Sequence, residues 1–167
     1  FTEWFRKIAD KKLQLRRIVR YLKAWKNYRE EKNTNLKFPS GFALTILATN
    51  HFKENHRDDI AFQDTIKSIN TQLNEKDNFK CLRPTTPKGE DIFEGFSPTR
   101  KDDFLTSLNN LVNDSQKAID EANLKTASEY LQKHFGDRFP LGKDEDEKAS
   151  IASLSSALES TLFRPKP

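Results

Sequence analysis

Between Lys11 and Arg29 the sequence KKLQLRRIVRYLKAWKNYR holds eight Lys and Arg and no Asp or Glu. Lys12, Arg16, Arg20 and Lys23 recur at three and four, so on a helix they form one cationic stripe. Donors repeated at consecutive turns suit a polyphosphate or a nucleic-acid backbone. The plainer reading of such a run is a solvated helix face. Ordinary exposed helices, however, mix signs to gain i,i+4 pairs, and this segment does not. Ser40-Gly41 is the second candidate, because a Ser opening a helix offers a hydroxyl beside unsatisfied backbone N–H groups. Simple N-capping is the alternative there. The chain runs down the basic segment, turns and returns into PSG, so Lys23 and Ser40 can converge on one ligand.

Other combinations carry less. His51 and His56 are five apart and diverge on a helix, and with only His134 and Cys81 elsewhere a zinc site is not expected. Asp144-Glu145-Asp146 has an acid-x-acid form suited to magnesium, yet it lies in a charged run that reads as a solvated linker. No GxxxxGK[ST], GxGxxG or nucleophile-elbow context occurs. No complete catalytic site is visible.

The elements that must position these residues read as helical. Phe1 to Ala9 is a short amphipathic stretch. From Asp10 to about Glu31, Leu15, Ile18, Leu22 and Trp25 form an apolar stripe opposite the basic one. Asn33 to Lys37 is turn-like, Ser40 is a natural N-cap, and FALTILATNHF is apolar nearly all round, which predicts a central helix. A further helix opens at Asp58 or Asp59. Phe79 to Arg83 is the one plausible strand, followed by the loop PTTPKGED. Ser97-Pro98 starts a long helix with room for a break near Asn113. Leu124 to His134 is another, stopped by Gly136. The expected layout is a helical unit over 1–141, then 142–167 as a charged linker from Gly142 to Lys148 and a weak Ser-rich helix or tail from Ala149 to Phe163.

Length and composition bound the function. The chain has 167 residues, enough for one domain with a real core. Its net charge is +4, yet residues outside the basic segment carry 21 Lys and Arg against 25 Asp and Glu. The positive charge is therefore local. No apolar run approaches the roughly 20 residues that span a bilayer, and mean hydropathy is −0.84, so no membrane partner is expected. The single Cys cannot form an internal disulfide, and no signal peptide opens the chain, which makes a reducing cytoplasm the expected compartment. The chain begins at Phe1 and contains no Met, which reads as a piece of a longer polypeptide.

LQLRRIVRYLKAWKNYRE followed by FPSGFALTILA resembles the C-terminal helical half of bacterial cyclic GMP-AMP synthase-like and oligoadenylate synthase-like nucleotidyltransferases, the signalling synthases of CBASS anti-phage defence. CLRPTTPKGEDIF and HFGDRFP are similar to further elements of that half. The resemblance implies a mostly α bundle that forms the C-terminal lobe of a two-lobed polymerase-β-like enzyme. It also implies nucleoside triphosphate substrates, Mg²⁺ held by an N-terminal palm of the same polypeptide, and CBASS accessory proteins as candidate partners. The family's phosphate-contacting Lys and Ser map to Lys23 and Ser40, and an acidic residue that reads a base edge maps to Asp91. Arg16, Arg20 and Lys26 join the phosphate-binding candidates from the charge pattern alone. The Gly-Ser loop and the palm carboxylates have no counterpart here, so no catalytic residue is assigned. Two alternatives remain: a helical module binding nucleic acid or an acidic partner, and the lobe of another polymerase-β-like transferase such as a polynucleotide adenylyltransferase.

Overall fold

The computed structural model describes residues 1–146. Its regular elements are α1 (Thr2–Ala9), α2 (Leu13–Lys32), α3 (Gly41–His51), α4 (Asp58–Asn74), α5 (Pro98–Asp120) and α6 (Leu124–Phe135), followed by a 3-10 turn at Gly136–Arg138. The chain is a mostly helical bundle, with no sheet among the described residues.

The central element is α3. Every residue from Ala43 to Ala48 is buried, and six consecutive buried positions cover all sides of a 3.6-residue turn. Such a helix must be surrounded, and α3 packs against α2 and α4. From there α4 packs on α5, α5 on α6, and α6 returns to α2, which closes the bundle. On α2 the stripe of Leu15, Ile18, Leu22 and Trp25 is buried, while Arg20 and Lys23 are exposed. Full burial of such side chains contributes about 1.5–3 kcal/mol each. Trp25 packs on Phe38 and Phe104 at ring-centroid distances of 4.8 and 6.1 Å. That trio anchors the turn between α2 and α3 in the core.

Four expectations change. Asp10 does not start α2; it caps the end of α1, with its N–H donating to Arg6 C=O, and its carboxylate accepts from Arg16. Phe79 to Arg83 is not a strand: only an isolated bridge joins Leu82 to Asp91. The loop is held instead by a cluster of Phe79, Phe93 and Phe96, with centroids 4.7–5.8 Å apart. No break occurs at Asn113, because Leu111, Val112, Ser115 and Ala118 keep one buried face along α5. The charged run after Gly142 is solvent-exposed but not free over its described part. Gly142 N–H donates to Ser128 Oγ at 2.8 Å, Leu124 N–H to Glu145 C=O at 3.0 Å, and Asn123 Nδ2 to Asp144 Oδ1 at 3.0 Å. The expected helix from Ala149 to Phe163 lies outside the described residues.

Gly136 ends α6 at φ 68° and ψ −160°, a conformation close to glycine-only. Its α-carbon also faces the ring of Tyr28 on α2, where an added Cβ would lie 2.4 Å from Cε2.

Candidate functional site

Ser40 sits at the N-terminus of α3, and its Oγ accepts a hydrogen bond from Ala43 N–H at 3.2 Å. A hydroxyl that accepts through a lone pair still has its own proton to donate. Ser40 therefore caps the helix and can still donate to an anion. Leu44 N–H donates to Ser40 C=O. The N–H groups of Gly41 and Phe42 are the first-turn donors that α3 itself does not use, in the positive end of the helix dipole.

Lys23 comes to the same place. Its side chain lies across Gly41: a Cβ at that glycine would be 3.2 Å from Lys23 Cε and 3.7 Å from Cδ. Glycine at position 41 leaves the room this crossing uses. Both Lys23 and Ser40 are exposed, and no salt bridge engages Lys23 among the described residues. The chain path thus brings the lysine stem over the first turn of α3, at the residue that follows Ser40. Phe42 flanks it, packed edge-on against Phe1 at 4.1 Å and under the Arg83 guanidinium at 5.2 Å.

The turn that delivers Ser40 is fastened from two helices. Glu30 on α2 accepts from Phe38 N–H at 2.8 Å through one oxygen and from Lys26 Nζ at 2.5 Å through the other. Arg100 on α5 donates to Lys37 C=O at 2.7 Å and Phe38 C=O at 3.0 Å. Neither Glu30 nor Arg100 was among the sequence candidates. The i,i+4 spacing of Lys26 and Glu30 is a readable signal for the first, whereas Arg100 lies 63 residues from Lys37 and nothing local marks it.

The remaining candidates are placed as follows. Arg20 is exposed and no salt bridge engages it among the described residues. Arg16 is paired with Asp10, and Lys26 with Glu30. Asp91 Oδ1 accepts from Cys81 N–H at 2.9 Å and Phe93 N–H at 3.0 Å, which holds the loop between Cys81 and Phe93 in shape. That loop leans on α3: Cys81 Sγ lies 3.7 Å from Ala43 C=O. Burial, with the Asp91 charge beside it, pushes the Cys81 thiol up to about 12, so it is a neutral packing group.

A second polar cluster ties α2 to α4. Asp58 accepts from Arg17 at 2.5 and 2.8 Å, from Gln14 at 2.8 Å and from Tyr21 at 2.9 Å. Burial raises its carboxyl, but the bonds from Arg17, Gln14 and Tyr21 with the Arg17 charge outweigh that and hold it below the ordinary range. Burial first, then Asp58, raises the Tyr21 hydroxyl. His51 bonds Ser68 and Gln72, and His134 bonds Asp114. Among the described residues no three His, Cys, Asp or Glu gather as a metal site, and no helix is long and apolar enough to cross a membrane.

Over 72 residues the chain is 35% identical to cyclic GMP-AMP synthase of Escherichia albertii, a match that covers 43% of this chain and 16% of that protein. No family model matches the chain. Part of the chain is thus distantly similar to a nucleotidyltransferase, over a small share of that enzyme's length.

Proposed function

We propose that this chain is the helical, nucleotide-binding lobe of a nucleotidyltransferase that makes cyclic di- or oligonucleotide messengers in anti-phage signalling. The observation that carries the reading is the Lys23 side chain laid over Gly41 beside the Ser40 cap. Together they offer an ammonium, a hydroxyl proton and two first-turn amides at one helix N-terminus, a donor set matched to a triphosphate. The partial identity to cyclic GMP-AMP synthase supports it from a separate direction.

The lobe's work in this reading is positioning and charge neutralisation, which in phosphoryl transfer can supply several kcal/mol. Lys23 is the mobile counter-charge, Ser40 and the amides are the fixed donors, and Arg20 adds long-range attraction one turn away. Asp91 is proposed for a base edge through the oxygen not spent on the loop. Mg²⁺ belongs to a palm domain of the same polypeptide, and no step is assigned to it on the residues described. The nucleic-acid alternative draws less support, since Arg16, Arg17 and Lys26 are each paired with a carboxylate and the basic footprint shrinks accordingly.

The test is Lys23→Ala in the full-length enzyme, with product measured from labelled ATP, GTP, CTP and UTP. Loss of one charge-assisted bond predicts a KM for nucleotide raised about tenfold or more. Unchanged turnover at limiting nucleotide would remove Lys23 from the phosphate site.

A further inference from the structure

Ser40 is delivered by the turn Lys37–Ser40, in which the Ser40 C=O already accepts the first bond of α3, whereas the placement of Lys37 and Phe38 depends on bonds from side chains that reach them. Arg100 supplies two of those bonds, gripping the consecutive carbonyls of Lys37 and Phe38 at 2.7 and 3.0 Å. Glu30 holds the N–H of Phe38, so α2 and α5 fasten the same residue through both of its backbone polar groups. The guanidinium is itself held flat: its Cζ lies 3.6 Å from the centroid of Phe96, at stacking distance. Phe96 packs on Phe93 at 4.7 Å and Phe79 at 5.8 Å, the cluster that closes the loop bearing Asp91. The main-chain N–H of Arg100 is fixed too, donating to Ser97 Oγ at 3.2 Å.

We infer that Arg100 is a positioning residue for the Lys23–Ser40 site, and that by stacking on Phe96 while gripping the Lys37–Phe38 carbonyls it joins the Asp91 loop and the Ser40 turn into one unit. The inference rests on the anion-binding reading of that site. Its chemistry requires arginine: two carbonyls taken by one planar fork that also stacks is an arrangement a lysine ammonium cannot reproduce. No salt bridge engages Arg100 among the described residues, so its charge also adds to the positive field at the turn.

The test uses the full polypeptide with Arg100→Lys, Phe96→Leu and Lys23→Ala, and ATP and inorganic tripolyphosphate as probes. Affinity is measured by calorimetry, and amide hydrogen exchange is followed at Phe38, whose N–H is bonded to Glu30, and in the centre of α4. Arg100→Lys is expected to weaken both probes about tenfold and to speed exchange at Phe38 while leaving α4 unchanged, a pattern that global destabilisation cannot produce. Phe96→Leu, which keeps the arginine and removes its platform, shifts both readouts the same way by about threefold. It also decides the matter if Arg100→Lys does not fold. Full affinity and unchanged local exchange in these variants, with binding lost in Lys23→Ala, would overturn the role of Arg100 and leave the anion site standing. Binding untouched by Lys23→Ala would overturn the anion site itself, and the local exchange would then decide the positioning role alone.

Discussion

Gly41 is the residue on which the candidate site turns, because it is the surface the Lys23 stem crosses. A methyl group there meets Lys23 Cε at 3.2 Å, and the far end of a flexible side chain can move away. Gly41→Ala is therefore expected to change folding stability by less than about 1 kcal/mol and to displace the ammonium from the Ser40 cap. Urea unfolding should stay near wild type while affinity for ATP falls about three- to tenfold; affinity unchanged by the methyl would mean that the Lys23 contact is incidental. Ser40 was legible as a cap from PSG alone, and Lys23 from its place on the basic face. The fate of Arg16 was not, and that of Lys26 was legible only through its i,i+4 spacing to Glu30, because charge counted along one segment says nothing of carboxylates just outside it. Asp10 and Glu30 flank the acid-free run at its two ends, and each removes a cation from the ligand-facing set.

At the scale of elements, α2 is held at its two ends by different chemistry. Toward its C-terminus Trp25 is locked into apolar packing with Phe38 and Phe104. Toward its N-terminus Gln14, Arg17 and Tyr21 converge on Asp58 of α4, which is 4% exposed. Removing one partner of such a buried, bonded charge strands the others, so Asp58→Ala is expected to cost about 3 kcal/mol. The loss is read as a lowered urea midpoint at unchanged m-value, and a shift within about 0.5 kcal/mol, the range of an ordinary surface change, would refute it. The helices themselves were readable because burial repeats at three and four and because Ser40, Ser97 and Gly136 mark their ends. The Asp58 cluster was not, since its bonds to Arg17 span 41 residues. The loop from Phe79 to Phe96 misled for a related reason. Its alternating residues look like a strand, but the antiparallel pairing stops at one bridge between Leu82 and Asp91, with Ile92 N–H to Cys81 C=O and Arg83 N–H to Glu90 C=O. Three packed phenyl rings and one carboxylate oxygen of Asp91 supply the remaining order.

At the scale of the whole molecule, three described groups whose ionisation shifts on folding, His134, Asp114 and Asp58, act in the same direction on the acid side. Burial lowers His134 below its ordinary value; the hydrogen bond and charge of Asp114 oppose this, while Arg29 and Lys133 reinforce it. The imidazole is therefore neutral in the fold at pH 7, with Nε2–H donating to Asp114 at 2.8 Å. Asp114 and Asp58 are also depressed: burial pushes each up, but the bond and charge of His134 outweigh it for Asp114, and those of Arg17 with the bonds of Gln14 and Tyr21 for Asp58. In all three cases the unfolded chain binds protons that the folded chain refuses, so stability falls as pH falls. The His134 contribution is complete above its unfolded value of 6.5 and is lost as pH drops through that value toward the folded one. The carboxylate contributions hold until pH passes below 3.8. Urea midpoints measured from pH 8 to pH 3 are accordingly expected to decline in two steps, the first beginning near neutrality. His134→Gln keeps a neutral donor toward Asp114 and should remove the first step while leaving the second. A midpoint that is flat between pH 7.5 and 5 in the wild-type chain, or a first step that survives in His134→Gln, would show that the acid sensitivity of the bundle originates elsewhere.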